Sequence, residues 1–167
     1  MSNLVGIYSS RRGLAPGSPV FVGRDETLRD IFMRLGGDNS LPGIAVVGPH
    51  RIGKTTLLKQ LLASSVRSRY LEQPDGWQVA YLDVSQRHWT DFGSLRAAAF
   101  TSLGIPAEDQ AAHPDSSFTD AIRRISRERG SRTTVLILDE FNYIAADLGK
   151  DEQAELREQL KPSVAFH

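Results

Sequence analysis

The stretch VVGPHRIGKTTLL, residues 46–58, constrains the chain more than any other. A run of β-forming residues ends in Gly48. Gly53, Lys54 and Thr55 follow, and then an apolar helical pattern sets in. From Gly48 to Thr55 the spacing is G-x-x-x-x-G-K-[ST], between a strand signal and a helix signal. Glycine lets the backbone curl until consecutive N–H groups converge on an anion. The dipole of the helix that begins there favours the same charge. On this pattern Lys54 bridges β- and γ-phosphate oxygens, the Thr55 hydroxyl ligates Mg²⁺, and Thr56 reaches the α-phosphate. The alternative is a chance glycine-rich turn; the strand before the loop and the helix after it favour the phosphate site.

Around this loop the chain alternates strands with helices. Residues 1–17, rich in Ser, Gly, Arg and Pro, read as a loose arm, and 18–167 as one domain. Leu28, Ile31, Phe32 and Leu35 recur at helical spacing behind Asp25, a candidate cap, and Gly36 and Gly37 end that helix. GIAVVG (43–48) reads as a buried strand, and the helix after the loop places Leu57, Leu58, Leu61 and Leu62 on one face. WQVAYLDVS (77–85) is a second strand and TVLILDEFNYI (134–144) a third that leads into a loop. Helices are expected over 91–104, 115–130 and 151–162. No repeat is visible. The alternation predicts a three-layer α/β/α fold with a mainly parallel sheet.

The second chemical signal is LILDEF. Asp139 ends the third strand, and carboxylates at the carboxyl ends of parallel strands sit at the edge where ligands bind. Asp139 is expected to hold Mg²⁺, directly or through water, and Glu140 to orient or deprotonate an attacking water. Alone, such a pair is more often a solvated strand end; downstream of a phosphate loop the functional reading takes precedence. Asp83 ends the middle strand at the same edge and serves either as a loop cap or in a Mg²⁺ water network. Arg51 is an exposed loop arginine or a phosphate or partner contact. His88 reads as a surface residue and Trp89 as a partial core anchor.

Composition narrows the field further. The formal net charge is +0, which leans against binding nucleic acid through bulk charge and leaves room for a local basic patch; the run RRISRERG reads first as a solvated helix face and, as the alternative, as a nucleic-acid contact. With Cys 0 there is no disulfide framework, thiolate zinc site or thiol nucleophile. No apolar run approaches membrane-spanning length and the N-terminus lacks a signal core, so the chain reads as cytosolic. Neither Ser85 nor Ser102 sits in a nucleophile-elbow pattern.

FVGRDETL (21–28), GPHRIGKTTLL (48–58) and ILDEFNYI (137–144), in that order, resemble the STAND class of P-loop ATPases. The likeness is closest to the archaeal-type ATPase group and its bacterial relatives within the wider AAA+ relationship. It spans roughly residues 20–145. It implies that Val22, Gly23 and Arg24 lie near the adenine and ribose of ATP. Gly48, Gly53, Lys54, Thr55 and Thr56 would form the phosphate and Mg²⁺ site, with Pro49, His50, Arg51 and Ile52 completing the loop. His50 stands where such relatives often carry Arg. Asp139 and Glu140 would be the metal ligand and catalytic carboxylate. Relatives of this kind are ATP-dependent switches read by a sensor or effector region, some in signalling or defence against phage, so a protein partner or self-association is expected.

Such relatives add, after the acidic strand, a strand with a polar sensor residue, another strand, an arginine finger and a lid. No such strand is read between the acidic strand and His167. The expectation is a P-loop fold incomplete at its C-terminal end: a fragment of a longer protein, a chain completed by a partner, or a sheet in which 43–48 pairs directly with 134–139. Two other functions stay open at this stage. One is a DNA-associated AAA+ ATPase of transposition or replication loading. The other is a non-catalytic subunit that docks a partner.

Overall fold

Helix α1 (Asp25–Gly36) forms where Leu28, Ile31 and Phe32 fall on one stripe, and all three are buried. Its first turn is acidic and Arg34 lies in its last, in keeping with the helix dipole. Asp25 is the first helical residue rather than a cap; its carboxylate accepts a hydrogen bond from the Tyr70 hydroxyl (2.9 Å). The computed structural model describes residues 13–36, 44–49, 51–86, 89, 91–111, 121–122, 127–128, 130, 133–147, 149–151 and 153–154. By their contacts these fall into two units, one of residues up to 36 and 44–74 and one from 75 onward.

In the first unit, helix α2 (Lys54–Gln60) starts at the glycine-rich loop and buries Leu57 and Gln60, with Leu61 buried just past its end. Leu58 and Leu62 are half-buried. Helix α3 (Ser64–Arg67) follows, and the Arg67 guanidinium donates to the carbonyls of Leu61 (3.0 Å) and Leu62 (2.8 Å), serving groups that a helix end leaves without partners. Tyr70 stacks on Phe32 with ring centroids 5.4 Å apart. Of the stretch expected as a loose arm, residues 13–17 lie along α2. The Gln60 side-chain amide accepts from the Gly17 N–H (3.0 Å) and donates to the Ala15 carbonyl (3.2 Å). Residues 1–12 lie outside the described residues.

Among the described residues the strand expected at 43–48 is not formed. Residues 44–48 belong to no ladder, Ala45 and Val47 are exposed, and Val47 keeps 86% of its surface. A strand exists only where neighbouring backbone takes up its N–H and C=O groups, and here no described backbone does so. Pairing of this segment with the acidic strand is therefore absent among the described residues, since the one sheet there has two strands, β1 (Trp77–Asp83) and β2 (Thr133–Asp139).

These two strands define the second unit. They pair in parallel in the register Trp77 with Thr133 through Asp83 with Asp139. Ala80, Leu82, Leu136 and Leu138 share one face and pack into a core with helix α4 (Phe92–Ser102). Asp91 caps α4 by accepting from the Ser94 N–H (2.6 Å). The core also takes in Val84, Ile105, Ala121 and Ile144, the last on helix α6 (Asn142–Asp147). Helix α5 (Ala107–Ala111) lies between α4 and β2 in sequence. Trp89 is buried rather than a partial anchor, and its indole N–H donates to the Val84 carbonyl (2.7 Å). β1 stops at Asp83, two residues short of the expected end, where a 3-10 turn (Val84–Gln86) takes over. Most of the expected helices 115–130 and 151–162 lies outside the described residues, as does His88.

Candidate functional site

The loop of the first unit is built from backbone hand. Arg51 (φ 61) and Gly53 (φ 89) are left-handed, while Ile52 between them is not. Alternation of this kind turns successive N–H groups toward one side, the arrangement that makes an anion nest. Gly53 is the residue before α2 and caps it with no side-chain bond, so the cap residue itself does not compete for the first-turn amides of Lys54, Thr55 and Thr56. A β-carbon at Gly53 would meet nothing within 4 Å; glycine is needed there for conformation, not space.

Lys54 folds back over the loop. Its ammonium donates to the carbonyls of Gly48 and Pro49, each at 2.9 Å. Both partners are uncharged, so the positive charge is held at the loop and not neutralised by them. Arg24, just ahead of α1, donates from Nη2 to the Ile52 carbonyl (2.7 Å), which ties the segment of Val22, Gly23 and Arg24 to the loop. Val22 is itself 77% exposed. The Thr56 hydroxyl accepts from the Leu14 N–H (3.3 Å) and keeps its own proton to donate. His50 lies outside the described residues.

The acidic half belongs to the second unit. Asp139 ends β2 and is buried. Its Oδ2 accepts from the Tyr81 hydroxyl (2.6 Å) and its Oδ1 from the Glu140 backbone N–H (3.0 Å). A carboxylate offers about four lone-pair sites, so two bonds leave acceptor capacity for a hard cation. Burial, and then the Asp139 carboxylate, hold the Tyr81 phenol well above its ordinary pKa, so it remains a donor. Glu140 follows with φ 58, a left-handed backbone that disfavours side chains other than glycine by about 1–2 kcal/mol. Strain of this kind clusters at functional sites.

Asp83 makes the bonds of a loop cap, the first of its two expected roles. Its Oδ1 accepts from the Ser85 N–H (3.1 Å) and hydroxyl (2.6 Å), and its Oδ2 from the Gln86 side-chain amide (3.0 Å), so it caps the turn that ends β1. Tyr81 is the residue that sequence reasoning missed. Its signal was the parallel register: with Asp83 opposite Asp139, Tyr81 falls on the face of Asp139, one pair back.

Among the described residues no group of three His, Cys, Asp or Glu could hold a metal. No helix among the described residues is long and apolar enough to cross a membrane.

The AAA domain family matches residues 42–165, a segment that holds both the glycine-rich loop and the acidic strand. The chain belongs to this family of P-loop NTPases, whose class of activity is ATP binding and hydrolysis, typically with Mg²⁺. Val22, Gly23 and Arg24 precede the matched segment. No curated protein and no solved structure matches the chain.

Proposed function

We propose that the chain is the ATP-binding core of a STAND-type regulatory switch, working with a protein partner or with further copies of itself. The observation that carries this reading is the Lys54 ammonium held across a loop of alternating hand, next to a helix start whose cap residue is Gly53. Lys54 takes the β- and γ-phosphates, exchanging two carbonyls for charged oxygens, and such charge-assisted bonds are the stronger. Thr56 donates to the α-phosphate while Leu14 holds its oxygen. Val22, Gly23 and Arg24 stand at the adenine and ribose.

Thr55 and Asp139 are the residues that hold Mg²⁺, which when bound neutralises charge on the phosphates. Glu140 accepts the proton of the attacking water, by position and charge rather than covalent chemistry. Slow turnover by the isolated chain is expected, since in a switch the lifetime of the ATP state is the signal.

Two substitutions test the assignment. Lys54→Ala should abolish or greatly weaken binding of a fluorescent ATP analogue with the fold intact; equal affinities would remove Lys54 from the site. Glu140→Gln should bind Mg-ATP as wild type does and lose hydrolysis, because an amide cannot take the proton. Equal phosphate release by both, above a blank without protein, would overturn the role of Glu140.

A further inference from the structure

Asp139 has two partners, and each restrains it differently. The Glu140 N–H is fixed to the same backbone, one residue on. The Tyr81 hydroxyl comes from the neighbouring strand. Tyr81 pairs in register with Ile137, so it shares a face with Ile137 and Asp139 and reaches along the sheet toward its carboxyl end. At 2.6 Å this is a short bond of a hydroxyl to a carboxylate. With Oδ2 taken by Tyr81 and Oδ1 by the backbone, the rotation of the carboxylate about its last bond is fixed from both sides. Asp139 is buried, with 6% of its surface exposed, so water does not readily replace a lost donor.

We propose that Tyr81 is a positioning residue for the Mg²⁺ site: its hydroxyl holds Asp139 in the orientation in which the remaining lone pairs meet the cation or its water shell. The inference rests on the assignment of Asp139 to Mg²⁺. Partners of this kind fix metal-ligating carboxylates, and their loss weakens metal affinity by about 10–100-fold. On this proposal Tyr81 acts on the Mg²⁺ site through its bond to Asp139. A hydroxyl that served only to stabilise the sheet would change unfolding but leave the Mg²⁺ requirement alone.

The test is binding of a fluorescent ATP analogue to wild type, Tyr81→Phe, Asp139→Ala and the double variant, each in EDTA and across a Mg²⁺ titration. Tyr81→Phe keeps the ring and removes the oxygen. It should bind as wild type in EDTA and need about tenfold more Mg²⁺ for half of the Mg²⁺-dependent gain. In the Asp139→Ala background the same change should add nothing, as a pathway through Asp139 demands. If Asp139→Ala loses the Mg²⁺-dependent gain while Tyr81→Phe keeps the wild-type titration, the role of Tyr81 is overturned and that of Asp139 stands. If Asp139→Ala itself titrates as wild type, the assignment of Asp139 falls and the inference with it. A Tyr81→Phe defect equally large in EDTA would mark a fold defect and also overturn it.

Discussion

At the scale of single residues, hydroxyls and carboxylates in this chain work as pairs. Tyr70 and Asp25 are one pair in the first unit, with Tyr70 also stacked on Phe32. Burial, and then the hydrogen bond to the Asp25 carboxylate, raise the Tyr70 phenol above its ordinary pKa. A phenol with a raised folded pKa stabilises the native state fully below its unfolded value, near 10, and loses that contribution as pH climbs from there through the folded value. Tyr70→Phe should therefore be less stable than wild type at pH 8, with a gap that narrows at pH 10.5. Denaturant midpoints of both proteins at the two pH values measure it; a gap that stays constant would show that the phenol does not titrate late.

At the scale of elements, helix α2 is held from two sides. Its start carries the loop, and its end carries Gln60, a buried side chain whose amide imitates a backbone partner for Ala15 and Gly17. At the start of the helix Gly13 (φ 70) packs closely: a β-carbon would come within 3.1 Å of the Thr56 hydroxyl oxygen and 3.2 Å of a Thr55 methyl, so those side chains would have to give by a few tenths of an ångström. Gln60→Leu keeps the bulk and removes both bonds, and should destabilise by about 1–3 kcal/mol. Amide exchange at Gly17 should rise with it, and unchanged protection would mean that the segment is held by other contacts. None of this was visible in the sequence, where Gln60 reads as an ordinary polar helix position, because its partners lie more than forty residues away. Helices α1, α2 and α4 were legible from spacing, since burial of one stripe is a local property. So were the strand ending in Asp139 and the loop at Lys54, whose residue types leave few alternatives. Residues 44–48 misled for the opposite reason: five apolar or small residues look like a strand, but strand formation is decided by neighbours. Tyr81 stayed hidden because it depends on register between strands fifty residues apart.

At the scale of the whole molecule, each unit has a core of its own. Leu28, Ile31, Phe32, Leu57, Leu61 and Val66 are buried in the first, and the cluster around Trp89, Phe100 and Ile144 fills the second. Both tryptophans, Trp77 and Trp89, belong to the second, whereas helices α1 and α2 of the first contribute to circular dichroism. Unfolding followed by tryptophan emission and by far-ultraviolet dichroism should therefore give transitions that do not coincide; superimposable curves would show a single cooperative unit. A nucleotide analogue at a hundred times its dissociation constant, offered in EDTA so that only the proposed phosphate loop engages it, should stabilise the first unit by about 2.7 kcal/mol. The left-handed backbone at Glu140 matters here in another way. Glycine would sit there with less strain, so a library of variants screened for heat resistance will tend to enrich for loss of that carboxylate. With Glu140 in its proposed role, survivors of such a screen would include well-folded proteins that bind nucleotide and never release it as product, and heat resistance would then be a poor proxy for a working protein.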